Sequence, residues 1–177
     1  MKKLHLPSLR ADARGAAIIE LALIAPILGL MIIGIVDLSN AFSKKLTLEQ
    51  AAQRAIERIM QTTADDTVEG TLKTEAVCQV NGTNADGTCK TSPITTANVT
   101  VTYRLECTAA GGAITTQTST DAPTFDAFTC GAGTLSEARY IEIAVADTYT
   151  PMFPIHFSFI DPDGTYHLSA TAGMRTQ

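Results

Sequence analysis

The sequence predicts an α+β fold, in which a long N-terminal transmembrane helix continues into an amphipathic helix packed on a small antiparallel β-sheet head. One observation behind this prediction is an uncharged apolar run from Leu21 to Val36. Another is the alternation of apolar and polar residues in three later segments, which is typical of half-buried strands. The third is charge, because the formal net charge of −5 is spread very unevenly over the 177 residues.

Composition excludes several classes of protein. With 45% hydrophobic and 18% charged residues, the chain is too apolar to be mostly disordered. The acidic balance, 13 Lys+Arg against 18 Asp+Glu, provides no basic surface for nucleic acid. The charges divide the chain into a basic leader (1–15), a transmembrane helix (16–36), an amphipathic extension (37–60) and a head (61–177), with net charges of +3, −1, +1 and −8.

The segment 16–36 has the length of a membrane span, since a bilayer core of roughly 30 Å requires ~20 helical residues. It is apolar on every face, whereas the core helices of soluble proteins are amphipathic. The leader carries four basic residues, and short basic flanks stay in the cytoplasm. We therefore expect a single pass through the cytoplasmic (inner) membrane, with the N-terminus inside and the head periplasmic or extracellular.

Glu20 is the only charged residue of this segment, and a carboxylate at such a depth costs roughly 2.5–3.5 kcal/mol on insertion scales. Its side chain can reach the cytoplasmic headgroups by snorkelling. Alternatively, cleavage after Gly15 makes Ala16 the first residue, and its new amino group can pair with Glu20 of the same or a neighbouring helix. An ordinary signal peptide cut after Ser39-Asn40-Ala41 and an uncleaved anchor are the remaining alternatives.

The residues around Glu20 carry a recognisable motif. Arg14–Pro26 reads RGAAIIELALIAP, and the outer end of the span, Gly34–Asp37, reads GIVD. A basic leader, Gly-x-x-x-x-Glu and an apolar helix resemble the processing site of type IV pilins. The full pattern resembles the TadE family of minor pilins of the tight-adherence (Tad, or Flp) pilus, with Leu21 where that family has an aromatic residue. Leu168–Arg175 also resembles the way such proteins end.

This resemblance implies a non-catalytic minor pilin or pseudopilin, a subunit that acts in assembly of an adhesion pilus. It implies cleavage by a prepilin peptidase between Gly15 and Ala16, and assembly with other pilus and Tad membrane subunits. Glu20 would register the subunit against a neighbour by pairing with an N-terminal amine. The alternative hypothesis is an uncleaved, single-pass, membrane-anchored periplasmic binding module unrelated to pili.

Within the span, Pro26 removes one backbone hydrogen bond and is expected to kink or loosen the helix. Ala25 and Gly29 form a small-xxx-small pair that permits close contact with another helix. After Asp37 an amphipathic stripe predicts that the helix continues to about residue 60 and backs the head. The stripe consists of Leu38, Phe42, Leu48, Ala52, Ala55, Ile56 and Ile59.

In the head, a capping box at Asp66–Glu69 predicts a short helix through Ala76. Strands are predicted by alternation over 99–107, 141–145 and 166–174. Turn sequences separate these segments, at Asn81-Gly82, Asp86-Gly87 and Asp161–Gly164.

Four cysteines in an exported domain predict two disulfides, and three pairings are possible. We favour pairing of nearest neighbours, Cys78 with Cys89 and Cys107 with Cys130. A zinc site is disfavoured because no Cys-x-x-Cys occurs and His5 lies in the leader. Motifs of hydrolases, metalloproteases and P-loop proteins are absent, so we expect neither an enzyme nor a cofactor.

Overall fold

The computed structural model describes residues 13–61, 68–153 and 162–176, with side chains from residue 17 in the first stretch and from residue 69 in the second. Residues 1–12 of the leader, Asp66 and Thr67 of the expected capping box, and Asp161 of the last turn lie outside the described residues. The chain divides into two compact units, Met1–Asn40 and Ala41–Gln177.

The elements follow in the order helix, helix, two strands, short helix, two strands. They are α1 (Ala13–Gln61), α2 (Val68–Asn81), β1 (Val99–Ala109), β2 (Ile114–Ser119), α3 (Ala122–Asp126), β3 (Thr134–Tyr149) and β4 (Tyr166–Arg175), with a 3-10 turn at Thr96–Asn98. The strands form one antiparallel sheet in the order β2-β1-β3-β4. The α+β fold class is confirmed.

The core lies on one face of this sheet. Alternate residues of β1, from Val99 to Cys107, are buried, while the residues between them are partly or fully exposed. Ile143 and Val145 of β3 continue the buried face. The helices supply the other side of the same cluster, with Leu48, Ala52, Ala55 and Ile56 from α1, Leu72, Ala76 and Val77 from α2, and Phe125 from α3.

The stripe predicted for the second half of α1 is wrong at its first two positions. Leu38 and Phe42 are exposed (59% and 61%), whereas Ala41 and Leu48 are buried. A step of about 100° per residue places Phe42 on the same side of the helix as Glu49 and away from Leu48. The inward face is therefore narrower and richer in alanine than the apolar residues alone indicate.

Helix α2 extends five residues beyond the predicted end at Ala76, to Asn81. Asn81-Gly82 is consequently a helix terminus, because Gly82 has φ +76° and its N–H donates to the Cys78 carbonyl at 2.8 Å. The Asn81 side chain is buried and bonds to the backbone of Lys90 and Ile94. This contact folds the segment after α2 back over the end of the helix.

Candidate functional site

The Gly15–Ala16 bond lies in the first turn of α1, which begins at Ala13. The first four N–H groups of a helix have no intrahelical acceptor. Glycine in a helix also costs about 1 kcal/mol relative to alanine. This bond therefore lies in the part of α1 that unwinds at the smallest cost, while the side chains of Arg14 and Ala16 lie outside those described.

Glu20 is exposed on the surface of α1, among apolar side chains that are themselves exposed. Ile19 and Leu21 on either side of it are 67% and 65% exposed. Among the residues whose side chains are described, none forms an ion pair or hydrogen bond with Glu20. The carboxylate is therefore available to a group outside this part of the chain.

Pro26 lies inside α1 without ending the helix. Its ring nitrogen has no hydrogen, so the Ala22 carbonyl, four residues earlier, lacks the usual intrahelical donor. Glu20 and Ala22 are two positions apart and face different sides of the helix, so the carboxylate and this carbonyl each require a separate donor, from a neighbouring helix or from water.

The rest of the segment is an apolar helix surface open to its surroundings. The described part of α1 contains a stretch long and apolar enough to cross a membrane, and no part of that stretch is buried. Gly29 and Gly34 add no bulk, and a methyl group at either position would meet no atom within 4 Å. Gly29 also lies one turn after Ala25, a spacing of small residues that lets helices approach one another closely in lipid.

The acid at the other end of the apolar run has a different environment. Asp37, the residue after Val36, is only 6% exposed, although Glu20 is exposed. The two acids that flank the run therefore have different surroundings, and of the two only Glu20 is exposed.

Lys44 forms a tertiary contact that the sequence motifs did not identify. Its ammonium group lies 2.8 Å from Oδ2 of Asp147 and 3.2 Å from the Thr148 carbonyl, both at the end of β3. It also lies 6.0 Å from the centre of the Tyr149 ring. One signal was present, because Asp147 occupies the inward position of the alternation that contains Ile143 and Val145. An acid at such a position requires a partner.

The four cysteines are paired as nearest neighbours. Cys78 is bonded to Cys89 with Cα atoms 4.8 Å apart, and Cys107 to Cys130 with Cα atoms 5.6 Å apart. The first bond ties the end of α2 to the following loop, and the second ties β1 to the segment before β3. This is the pairing favoured from the sequence.

The acidic turns of the head are closed by their own side chains. Asp86 accepts hydrogen bonds from the Thr88 hydroxyl and N–H, which lower the pKa of its carboxyl. Asp163 accepts hydrogen bonds from the Thr165 hydroxyl and N–H, and its other carboxylate oxygen lies 2.9 Å from Nε2 of His167. The bond from the Thr165 N–H is the main cause of the lowered pKa of Asp163. Among the described residues, no group of three or more His, Cys, Asp or Glu side chains has the arrangement of a metal site.

The comparisons with known proteins bear on the helix alone. No curated protein and no solved structure matches the chain. Residues 15–56 match the family model described as TadE-like protein. The matched range begins at Gly15, includes Glu20 and Pro26, and ends at the buried Ile56. The resemblance seen in the N-terminal motif is thus confirmed, and the chain is similar to the TadE-like family over residues 15–56.

Proposed function

We propose that this chain is a non-catalytic minor pilin or pseudopilin of TadE type that acts in assembly of a Tad (Flp) adhesion pilus. The match of residues 15–56 to the TadE-like family is the observation that carries the proposal. The exposed apolar surface of α1 supports it, because such a surface requires lipid or the helices of partner subunits.

Processing by a prepilin peptidase after Gly15 is the first step of the proposed mechanism. The sequence around this bond and its position in the first turn of α1 are compatible with unwinding into a protease site. Cleavage makes Ala16 the N-terminal residue and leaves Glu20 four positions later. Residues four apart are neighbours on a helix surface, so the new ammonium group and the carboxylate can pair within one chain or between adjacent chains.

Membrane retention and assembly follow from the same helix. Before assembly, residues 16–36 hold the subunit in the inner membrane with the head on the periplasmic side. During assembly, the Glu20 carboxylate and the Ala22 carbonyl accept donors from a neighbouring subunit. Burying a carboxylate without a partner is costly in lipid, so this pairing selects one register of the helices.

The experiment that tests the proposal is the intact mass of the protein purified from membranes of cells that contain the Tad machinery. We expect a mature chain that begins at Ala16. Gly15→Leu should retain the leader, whereas the control Gly29→Leu, in open space on the same helix, should be processed normally. An intact Met1 in the unmodified protein supports the uncleaved anchor, and a start at Phe42 supports an ordinary signal peptide; either result contradicts the proposal.

A further inference from the structure

The ends of β3 and β4 form an aromatic pair next to Lys44. Tyr149, the last residue of β3, lies opposite Tyr166, the first residue of β4, and their rings are 6.1 Å apart. Lys44 bonds to Asp147 and Thr148 and faces the Tyr149 ring. This end of the sheet is therefore fixed to α1 at position 44.

Position 44 is close to the end of the apolar run along the chain. Lys44 is only eight residues after Val36, and eight residues span at most ~28 Å even when fully extended. If residues 16–36 cross the bilayer, the strand ends held by Lys44 are therefore tethered near the membrane surface.

Two apolar side chains that follow β3 are exposed. Met152 is 69% exposed and Phe153 is 39% exposed. No Asp, Glu, Lys or Arg occurs from Thr148 to Ile160, although the head as a whole carries a net charge of −8. Exposed apolar side chains in an acidic domain, such as Met152 and Phe153, are typical of an interaction surface.

We propose that Met152 and Phe153 insert into the membrane interface beside the span and give the head a second contact with lipid. Tyr149 and Tyr166 then lie at headgroup level, where the amphipathic rings of tyrosine are enriched in membrane proteins. The proposal rests on the membrane span of the proposed function, but it requires neither cleavage after Gly15 nor a pilus.

The charges favour an apolar contact over an electrostatic one. A head with a net charge of −8 is repelled by anionic lipids, and Lys44 is already engaged by Asp147. The contact should therefore depend on buried apolar surface and be insensitive to salt.

The chain contains no tryptophan, so a single substitution introduces one fluorescent reporter. Phe153→Trp and Met152→Trp place it at the proposed contact, and Leu135→Trp places it at the opposite end of β3, where the side chain is 73% exposed. Fourteen residues of strand separate Leu135 from Tyr149, a distance of about 45 Å. The full-length protein is reconstituted in phosphatidylcholine vesicles with brominated acyl chains, which quench tryptophan only by contact.

We expect blue-shifted emission at positions 152 and 153 that brominated lipid largely quenches, both in low salt and in high salt. Emission from position 135 should resemble that of an exposed tryptophan and keep its intensity. Unquenched emission at both 152 and 153, or equal quenching at 135, would overturn the proposal. The mass of the mature N-terminus is independent of this result, so the two proposals fail separately.

Discussion

Lys44 in α1 and Asp147 in β3 form an ion pair of 2.8 Å across 103 residues of sequence. The Asp147 side chain is only 11% exposed, while that of Lys44 is 37% exposed. The ammonium group therefore compensates an acid that is largely withdrawn from water. This pair, together with the bond to the Thr148 carbonyl, fixes the end of β3 to the helix.

Replacing Lys44 with methionine should lower the stability of the head. Exposed ion pairs contribute up to about 1 kcal/mol, and we expect a loss near that upper value because Asp147 is mostly buried. The methionine keeps most of the apolar stem, so the change reports mainly on the charge. Thermal unfolding of the full chain in detergent, followed by the near-ultraviolet circular dichroism of tyrosine, measures the effect.

Lys45→Met is the matched control, since Lys45 is the exposed neighbour on the same helix. It should leave the unfolding temperature unchanged. In the double variant Lys44→Met, Asp147→Asn, the two losses should not add, because both substitutions remove the same interaction. Fully additive losses would show that the pair contributes no coupling.

The periodic elements were predictable from the sequence. The span and its extension repeat apolar residues over 45 positions, and the central strand β1 alternates without interruption from Val99 to Cys107. The second half of α1 and strand β1 each bury one side, whereas the span is apolar on every face. The TadE-like motif was equally accessible, because its glycine, glutamate and proline occupy fixed positions within a short segment.

The elements that escaped prediction bury at most one residue each. Strand β2, with the sequence ITTQTS, lies at an edge of the sheet and has no fully buried residue, so its composition resembles a loop. Helix α3 has only five residues and depends on the Asp121 cap and on Phe125. Lys44 could not be identified from a motif because its partner lies in a distant strand. Only tertiary structure brings the two together.

The disulfides should differ in their contributions to stability. The Cys107–Cys130 bond closes the longer loop, with a separation of 23 residues against 11 for Cys78–Cys89. Loop-closure entropy gives about 3.4 kcal/mol for the longer loop and about 2.8 kcal/mol for the shorter. We expect Cys107→Ala with Cys130→Ala to lower the unfolding temperature more than Cys78→Ala with Cys89→Ala, in the same detergent assay. The reverse order would show that native-state effects outweigh loop length.

Asp121 should titrate at unusually low pH. Its carboxylate caps α3 by accepting the Thr124 hydroxyl at 2.6 Å and the Thr124 N–H at 3.0 Å, and the hydroxyl is the main cause of the lowered pKa. Because folding lowers this pKa, the ionised carboxylate stabilises the folded head. This stabilisation is complete above the pKa of the unfolded chain, about 3.9, and is lost as the pH falls through the lower pKa of the folded protein. Carbon-13 NMR of the carboxyl group measures this pKa.

Thr124→Val removes the hydroxyl and keeps the N–H, so it should return the pKa of Asp121 part of the way to its ordinary value. Asp86, whose lowered pKa depends on Thr88, is the internal control and should not respond. An unchanged pKa of Asp121 in the valine variant would show that the Thr124 hydroxyl does not lower it.

Replacing Gly70, inside α2, and Gly82, just after it, with alanine should change the stability of the head in opposite directions. Gly82 has φ +76°, and a side chain in the left-handed region costs roughly 1–2 kcal/mol even though no atom lies within 4 Å of the added carbon. Gly70 lies inside α2, also in open space, where alanine should stabilise by about 0.5 kcal/mol. Opposite shifts in unfolding temperature are expected. Equal shifts in unfolding temperature would mean that backbone conformation does not determine the effect of alanine at these two positions.

Glu20→Ala should separate processing from assembly. The substitution lies four residues beyond the proposed cut and removes a costly charge from the membrane, so cleavage and membrane retention should persist. Assembly should decrease, because the carboxylate is the group that we propose to pair with a neighbouring amine. Recovery of Tad partner subunits with the affinity-purified variant, together with the number of pili per cell, measures this loss. Glu57→Ala, an exposed acid of the same helix, is the control and should assemble normally. Normal piliation with Glu20→Ala would exclude charge pairing as the source of helix register and leave the apolar surface with Gly29 and Gly34 to supply it.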